Sequence, residues 1–378
     1  MRVVISAPAK YHFFDLGRQL LQRNMLTALM TGYPRFKLKD QGELTNFIHS
    51  FPYFHIFYRA LAGTIGRELE YRDRKVFDWF VSRNLPECDI FMGIAASCYE
   101  SARVARSRGA AIIVDRPCSH IVVQDRIIQA EAKKEGVKIR PIDPRVIELE
   151  LREYEYADLV TVPSKFAYKS FREQGFPDEK LRIVPYGVDL VKFQPVGKPQ
   201  QGAFDVLYVG LSSIRKGTMH LVRAFEQVKH PNKSLTIIGD VRAELRDALR
   251  DYAEKGSVKL LGHLPQAQLK EHMSKCHVFV LPSVEDGYGL VMSQAMACGA
   301  PVVATTNTGA DMVITDGTEG FIVPAGDDLP IAEKLQLLAD NPEMRDKMAA
   351  AAEAKARGMA DWSGYGDGIV AMFRELRG

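Results

Sequence analysis

Short apolar runs recur along this 378-residue chain, each followed by a polar loop and then a stretch with helical spacing. Arg2–Ser6 reads as a strand, Pro8–Tyr11 as a loop, and Phe13–Arg23 as a helix with Phe14, Leu16, Leu20 and Leu21 apolar. The order returns at Asp89–Ala95 with Cys98–Arg108, at Ala111–Asp115 with a loop over Arg116–His120, and at Leu159–Pro163 with Phe166–Gly175. A further strand follows at Arg182–Pro185. Val/Ile-rich runs of this kind suit strands covered on both faces, so the pattern predicts a parallel sheet between helical layers. The segment Gln41–Arg83 is longer and aromatic-rich, and does not divide into clear elements.

Pro185–Pro199 is polar, rich in proline and glycine, and reads as a linker. Beyond it the alternation restarts. Strands are predicted at Val206–Val209, Leu235–Ile238, Val258–Leu261, Val278–Leu281, Val302–Ala304 and Gly320–Val323. Helices are predicted near Met219–Val228, Ala243–Ala253, Gln266–Ser274, Leu290–Ala297 and Pro330–Leu338, and two or more in the tail Asn341–Leu376. The fold class expected is α/β, with two doubly wound parallel-sheet Rossmann-like domains and a cleft between them. Ligands would sit at the carboxyl ends of the strands and in the cleft. The chain is also longer than single cores usually grow. The expected division is residues 1–190, residues 191–355, and a C-terminal helix over 356–378 that packs back on the first domain.

Composition is that of an ordinary globular protein, 46% hydrophobic and 26% charged. The net charge of +3 is uneven: residues 1–190 carry 29 Lys+Arg against 24 Asp+Glu, which leans the first half toward anionic partners. That excess is too small to point to nucleic acid, and no matching motif accompanies it. Five cysteines without a Cys-x-x-Cys pair fit a reducing compartment. Met1–Ala7 reads as a strand, not a signal peptide, and no uncharged run reaches the roughly 20 residues of a membrane helix. A cytoplasmic location is expected, with contact at the inner face of the cell membrane as an addition to it.

Two turns carry the candidate chemistry. Phe279–Ala310 runs from strand through a glycine-punctuated turn into a helix. Gly287 and Gly289 flank Tyr288 and let a ligand approach the backbone, while the helix that begins at Leu290 offers unpaired amides. Glu285 and Asp286 would repel a bare phosphate. They suit a ligand that carries hydroxyls as well, and a sugar nucleotide is one. A tight loop with an N-capping Asp is the plainer reading. The other turn contains Gly210 and Ser212 and ends in Arg215 and Lys216, a planar fork of donors beside a mobile point charge. Adjacent cations at a strand end suit a diphosphate; the plainer reading is a solvated charged turn.

These stretches, taken together, resemble the retaining glycosyltransferases of the GT-B fold, glycosyltransferase family 4 (glycosyl transferases group 1). The resemblance covers most of the chain from Glu153 onward. It rests on Glu155–Asp158 with Val162–Ser164, on Val184–Asp189 with Phe193, and on Arg215–Gly217. Gly262–Pro265, Leu281–Ser283, Asp286–Gly299 and Thr308–Ala310 complete it. The resemblance implies a GT-B architecture and transfer, with retention, of a hexose-type sugar from a nucleotide diphosphate-sugar. The donor would be a UDP-sugar, with GDP- or ADP-sugars as alternatives, and no cofactor or metal would be required. The acceptor would be a glycan, a lipid-linked molecule or a small molecule, in cell-envelope polysaccharide or glycoconjugate synthesis. It further implies that Asp286 contacts the donor sugar and that amides of Gly287, Tyr288 and Gly289 hold its oxygens. Gln294 stands where the family has a ribose-binding Glu.

Three departures accompany the match. A Glu is shortened to Asp286, with Glu285 beside it to compensate. A Glu becomes Gln294, whose amide still hydrogen-bonds a hydroxyl. Leu211 stands where many members carry an Arg, a charge that Arg215 can supply. The family often has a histidine near the donor sugar in the loop after Ala111–Asp115. His120, assisted by Asp115, therefore joins Asp286, Arg215 and Lys216 as a catalytic candidate; a capping histidine is the plainer reading. Lys10, His12, Asp115 and Arg116 are the acceptor-side candidates, although Ala7–Lys10 replaces the family's glycine-rich loop. Arg35–Lys39 and the aromatic run Phe51–Arg59 could meet an acceptor at a lipid headgroup, or be core helices with a charged rim. Lys133, Lys134, Lys138 and Arg140 read as a solvated face. Two other functions compete: a GT-B nucleotide-sugar epimerase, and a nucleotide-sugar-binding regulator weakened in catalysis.

Overall fold

The computed structural model of the protein describes residues 1–52, 67–256 and 258–378. The first sheet has seven strands: β1 (Val3–Ala7), β2 (Leu26–Thr31), β3 (Ile48–Ser50), β4 (Ile90–Ile94), β5 (Ala111–Asp115), β6 (Leu159–Val162) and β7 (Leu181–Ile183). Their order is β3-β2-β1-β4-β5-β6-β7, and every pairing is parallel. Helices α1 (Phe13–Gln22), α2 (Arg67–Asn84), α3 (Tyr99–Ser107), α4 (Ile121–Lys134), α5 (Pro144–Tyr156) and α6 (Lys165–Glu173) cover its faces. Strands β1 and β4 are buried along their whole length, which is why they read as unbroken apolar runs.

The second sheet has six strands, β8 (Phe204–Val209), β9 (Lys233–Ile238), β10 (Val258–Leu260), β11 (Val278–Leu281), β12 (Val302–Thr305) and β13 (Gly320–Val323). Their order is β10-β9-β8-β11-β12-β13, again all parallel. Around it lie α7 (Thr218–Gln227), α8 (Arg246–Glu254), α9 (Gln266–Lys275), α10 (Leu290–Ala297), the short α11 (Ala310–Val313), α12 (Asp328–Asp340) and α13 (Pro342–Arg357); α14 (Trp362–Arg377) ends the chain. In each sheet the chain starts centrally, grows to one side, then returns to grow to the other. The switch points are β1/β4 and β8/β11, where such sheets place their ligands. Among the described residues no helix is long and apolar enough to cross a membrane.

Strands β2 and β3 and helices α2, α4, α5 and α11 were not predicted from the pattern. Helix α4 lacks a clean apolar stripe because neighbours lie on two sides of it, and its buried set mixes Ile121 and Val123 with Glu131 and Ala132. Helix α5 is announced by chemistry more than by periodicity: Asp143 caps it by accepting from the Arg145 amide at 2.9 Å, and Pro144 opens it. The aromatic run starting at Phe51 lies, from Tyr53 to Arg59, outside the described residues.

The two halves exchange elements. Helix α14 returns to the first domain, where Tyr365, Ile369 and Phe373 join a core with Phe13, Phe14 and Leu20. Gly366 allows this approach, since a Cβ there would lie 2.7 Å from the Gln19 side chain, and Arg23 pairs with Asp367 at 2.6 Å. In the opposite sense Ala132, at the end of α4, belongs to the core of the second domain with Phe225 and Leu221. The two connections between domains run side by side: Val188 donates to the Ala360 carbonyl at 3.2 Å, and a side chain at Gly187 would overlap the Asp361 backbone.

Helix α4 also carries an ionic contact across the interface. His220 on α7 bonds Glu131 at 2.7 Å through Nε2 and Asp328 through Nδ1. Arg223 forks onto Glu135 with two bonds of 2.8 Å and reaches Asp328 through Nε at 2.5 Å. Lys134 is exposed, as the solvated-face reading expects, and also donates to the Gly326 carbonyl. An imidazole with a carboxylate on each nitrogen is held as the imidazolium. Burial works against that charge, but the bonds to Glu131 and Asp328 outweigh it and raise the pKa.

This latch carries a pH signature. The folded-state pKa of His220 is raised, so its contribution is complete below the ordinary histidine value of about 6.5 and is lost as pH climbs through the raised value. Compared with His220→Gln by urea unfolding, the wild type should be more stable by about 2 kcal/mol at pH 6. That margin should shrink at pH 9; a margin that grows with pH would contradict the assignment.

Candidate active site

On the second domain, the site is built where β8 and β11 end. Gly210 and Ser212 continue β8 and are consumed by the fold. Gly210 donates to Ile238 at 2.9 Å, and Ser212, fully buried, exchanges backbone bonds with Asp240 and Arg242. The backbone of both therefore holds the turn, while the buried Ser212 Oγ has no hydrogen-bond partner among the described residues. The turn ends at Gly217, which has a φ of 63° and caps α7. A Cβ there would overlap the Pro282 carbonyl, so the glycine is what brings Arg215 and Lys216 against the loop after β11.

Each cation meets one carboxylate of that loop. Arg215 bonds Glu285 at 3.0 Å, and Lys216 bonds Asp286. The backbone locks the same register, because the amides of Val284 and Glu285 both donate to the Arg215 carbonyl, at 3.0 and 3.2 Å. Asp286 donates its amide to Asn307 at 3.0 Å, and Asn307 Nδ2 donates to Val284 at 2.9 Å. Gly289, at a φ of 78°, then opens α10, and Gln294 lies on that helix, mostly buried.

Glu285 differs sharply from its neighbour. It has no exposed surface and faces the first domain: its Oε1 accepts from the Ser119 amide at 3.0 Å and the Ser119 hydroxyl at 2.8 Å, and its Oε2 from Gln124 Nε2 at 2.9 Å. Burial alone would raise its pKa, but the Arg215 charge and the Gln124 and Ser119 donors hold it down at about 2. The expectation that Glu285 compensates for Asp286 at the donor is corrected: it is spent on the domain interface. Gly287 has a similar use, since a Cβ there would overlap the Pro117 carbonyl.

On the first domain, the residues after β5 divide differently from the sequence reading. Asp115 accepts from Thr161 at 2.7 Å and lies 3.1 Å from His12 Nε2 in a buried pair. It does not assist His120, whose ring sits against Tyr154 and Phe171, with centroids 5.3 and 4.8 Å away. His120 Nδ1 caps α4 by accepting from Val122 at 3.3 Å. Burial, then the Arg116 charge, pushes its pKa down to about 4, so it stands neutral near pH 7. The capping reading thus replaces the catalytic one. Arg116 is likewise internal: it donates to Ser119 O, Glu150 and Gln124 at 2.8–2.9 Å and has no arm left for an acceptor. Lys10 is exposed, 3.6 Å from Asp40.

Sequence reasoning missed several participants. Ser119 and Gln124 lie in the unassigned loop and helix, and only the fold brings them to Glu285. Tyr186 packs on His12 with centroids 4.4 Å apart and rings tilted by 34°, and meets Tyr288 edge-on at 5.4 Å, joining the His12–Asp115 pair to the Asp286–Gly289 loop. His220 clusters with Glu131 and Glu135, ligand-capable atoms all within 4.8 Å of one another, although no histidine spacing hinted at it. Two domains supply those three groups, and Arg223 already occupies Glu135.

With this geometry in view, comparison with known proteins is informative. Residues 192–355 match the family model for glycosyl transferases group 1. The chain is 29% identical over 229 residues to the GDP-mannose-dependent monoacylated alpha-(1-6)-phosphatidylinositol monomannoside mannosyltransferase of Corynebacterium glutamicum, covering 54% of this chain and 58% of that one. It is 29% identical over 223 residues to the D-inositol 3-phosphate glycosyltransferase of Pseudarthrobacter chlorophenolicus, covering 55% and 53%. The chain thus spans about half the length of the curated relatives it matches. Over its full length it superposes on Anabaena HepE in complex with UDP, with a TM-score of 0.70, 16% identity and coverage of 99% and 100%. It superposes likewise on sucrose-phosphate synthase from Thermosynechococcus elongatus, with a TM-score of 0.72, 18% identity and coverage of 100% and 99%. The fold is GT-B.

Gly287 offers a clean test of the interface. Gly287→Ala should destabilise the protein by about 1–3 kcal/mol through overlap with Pro117, measured by urea unfolding. An unchanged midpoint would mean that the two loops are not in contact.

Proposed function

We propose that this chain is a retaining hexosyltransferase that uses a nucleoside diphosphate-sugar. The observation that carries the reading is the set of two cations and two carboxylates at the β8 and β11 switch point, within the stretch matched by the glycosyltransferase model. Lys216 and Asp286 are partners that a donor can separate. The diphosphate takes over Lys216, with Arg215 beside it, and Asp286 then accepts from hydroxyls of the sugar. Amides of Gly287, Tyr288 and Gly289 hold further oxygens, and Gln294 meets the ribose. UDP is the first nucleotide to test, since the Anabaena structure that shares this fold was solved with UDP; GDP and ADP follow.

Charge develops on the leaving diphosphate as its bond to the anomeric carbon breaks. Cations already in place stabilise it without reorganisation, which is the most effective kind of electrostatic catalysis. An acceptor hydroxyl forms the new bond on the same face, and its proton passes to the departing phosphate oxygen. No step runs through a metal or a protein nucleophile. Residues 191–355 bind the donor and residues 1–190 the acceptor, with Lys10 and the His12–Asp115 pair on the acceptor side. Glycan or lipid-linked acceptors of envelope synthesis fit the positive lean of the first half. Phe36, 64% exposed between Arg35 and Lys37, supports contact with a membrane surface on the cytoplasmic side.

Lys216→Ala is the decisive variant, because it removes the cation and leaves Asp286, whose side chain keeps 16% of its surface in contact with water, as the one group without its partner. It should lower kcat/KM by about 10²–10³-fold while leaving the unfolding midpoint near wild type. In a thermal-shift series one of UDP, GDP or ADP should stabilise the wild type. Stabilisation by none of them, or undiminished turnover by Lys216→Ala, would sink the reading.

A further inference from the structure

Glu285 occupies an unusual position for a residue beside a ligand loop. It cannot touch a ligand, having no exposed surface, yet it bonds a cation that the proposed reaction uses. Three of its four side-chain donors come from the other domain: the Ser119 amide, the Ser119 hydroxyl and Gln124. Arg116 holds both of those residues in place, through Nε to the Ser119 carbonyl at 2.9 Å and through Nη2 to Gln124 Oε1 at 2.8 Å, while Nη1 anchors on Glu150 at 2.9 Å. A continuous chain therefore runs Glu150–Arg116–Gln124–Glu285–Arg215 from the first-domain core to the cleft. Arg215 keeps 29% of its side chain exposed at the end of it.

We infer that Glu285 is a positioning residue that makes the phosphate contact of Arg215 depend on the docking of the two domains. This rests on the donor reading above. When the domains part, Ser119 and Gln124 withdraw and the carboxylate keeps Arg215 as its one strong partner, so the guanidinium is neutralised. When they dock, three neutral donors share the carboxylate charge, its hold on Arg215 weakens, and the guanidinium turns its charge to the diphosphate. The coupling is reciprocal by thermodynamic necessity: a nucleoside diphosphate that engages Arg215 favours the docked form by the same factor by which docking favours binding. Asp286, one residue on, pairs with Lys216 within the second domain alone, so Lys216 lies outside this coupling.

A double-mutant cycle on nucleotide binding tests it. Titration calorimetry with UDP, and with GDP and ADP in parallel, would compare the wild type, Gln124→Ala, Arg215→Lys and the double variant; Ser119→Ala serves as a second probe of the same bonds. Arg215→Lys keeps the charge that Glu285 needs and loses the fork. Gln124→Ala should weaken binding about tenfold with Arg215 present and less than twofold with Lys there, and small-angle scattering should show nucleotide-driven compaction in the wild type only. A merely structural Gln124 would give the same loss in both backgrounds, and that additivity would overturn the inference alone. A wild type that binds none of the three nucleotides would overturn the donor reading, and this inference with it.

Discussion

A carboxylate with no exposed surface must be fully satisfied or it will not stay ionised, and Glu285 meets that demand only when the two domains are together. Its donors are split between them, one cation from its own domain and three neutral bonds from the other. Separating the halves therefore removes most of the solvation the protein provides for this charge. The same loop turns Asp286 the other way, toward Lys216. One residue faces the interface and its neighbour the Lys216 ammonium, so the loop cannot move without registering on both.

Helix α4 is the element that makes such docking durable. Its N-terminal end brings Ser119 and Gln124 to Glu285. Its C-terminal end sets Glu131 and Glu135 against His220 and Arg223 and buries Ala132 in the far core. Helix α14 crosses the other way, and the paired connections at Gly187 and Asp361 leave little freedom between the crossings. Polar contacts at both ends of α4 and the burial of Ala132 at its C-terminal end divide the labour: burial supplies the stability, while the polar contacts set the register and make it responsive to protons and to charge.

Much of this was legible in the chain. Fully buried strands announce themselves by composition, so both sheets could be read from runs such as Val278–Leu281, and the Arg215–Lys216 and Glu285–Asp286 turns stood out by their charges. Long-range use could not be read. Gln124 is one polar residue on a helix with mixed faces, and Glu285 is indistinguishable in sequence from a second ligand-facing acid. His120 misled because a histidine capping a helix and one facing a sugar look alike until the ring is seen against Tyr154 and Phe171. Strand β2 was missed because its run Leu26–Thr31 lacks valine and isoleucine, and β3 because it is only three residues long.

A structure of the protein with a nucleoside diphosphate bound tests the account most directly. The account predicts the diphosphate on Lys216 and Arg215, Asp286 released from Lys216, and Glu285 still bonded to Ser119 and Gln124. A diphosphate bound elsewhere, with the Lys216–Asp286 pair intact, would contradict it.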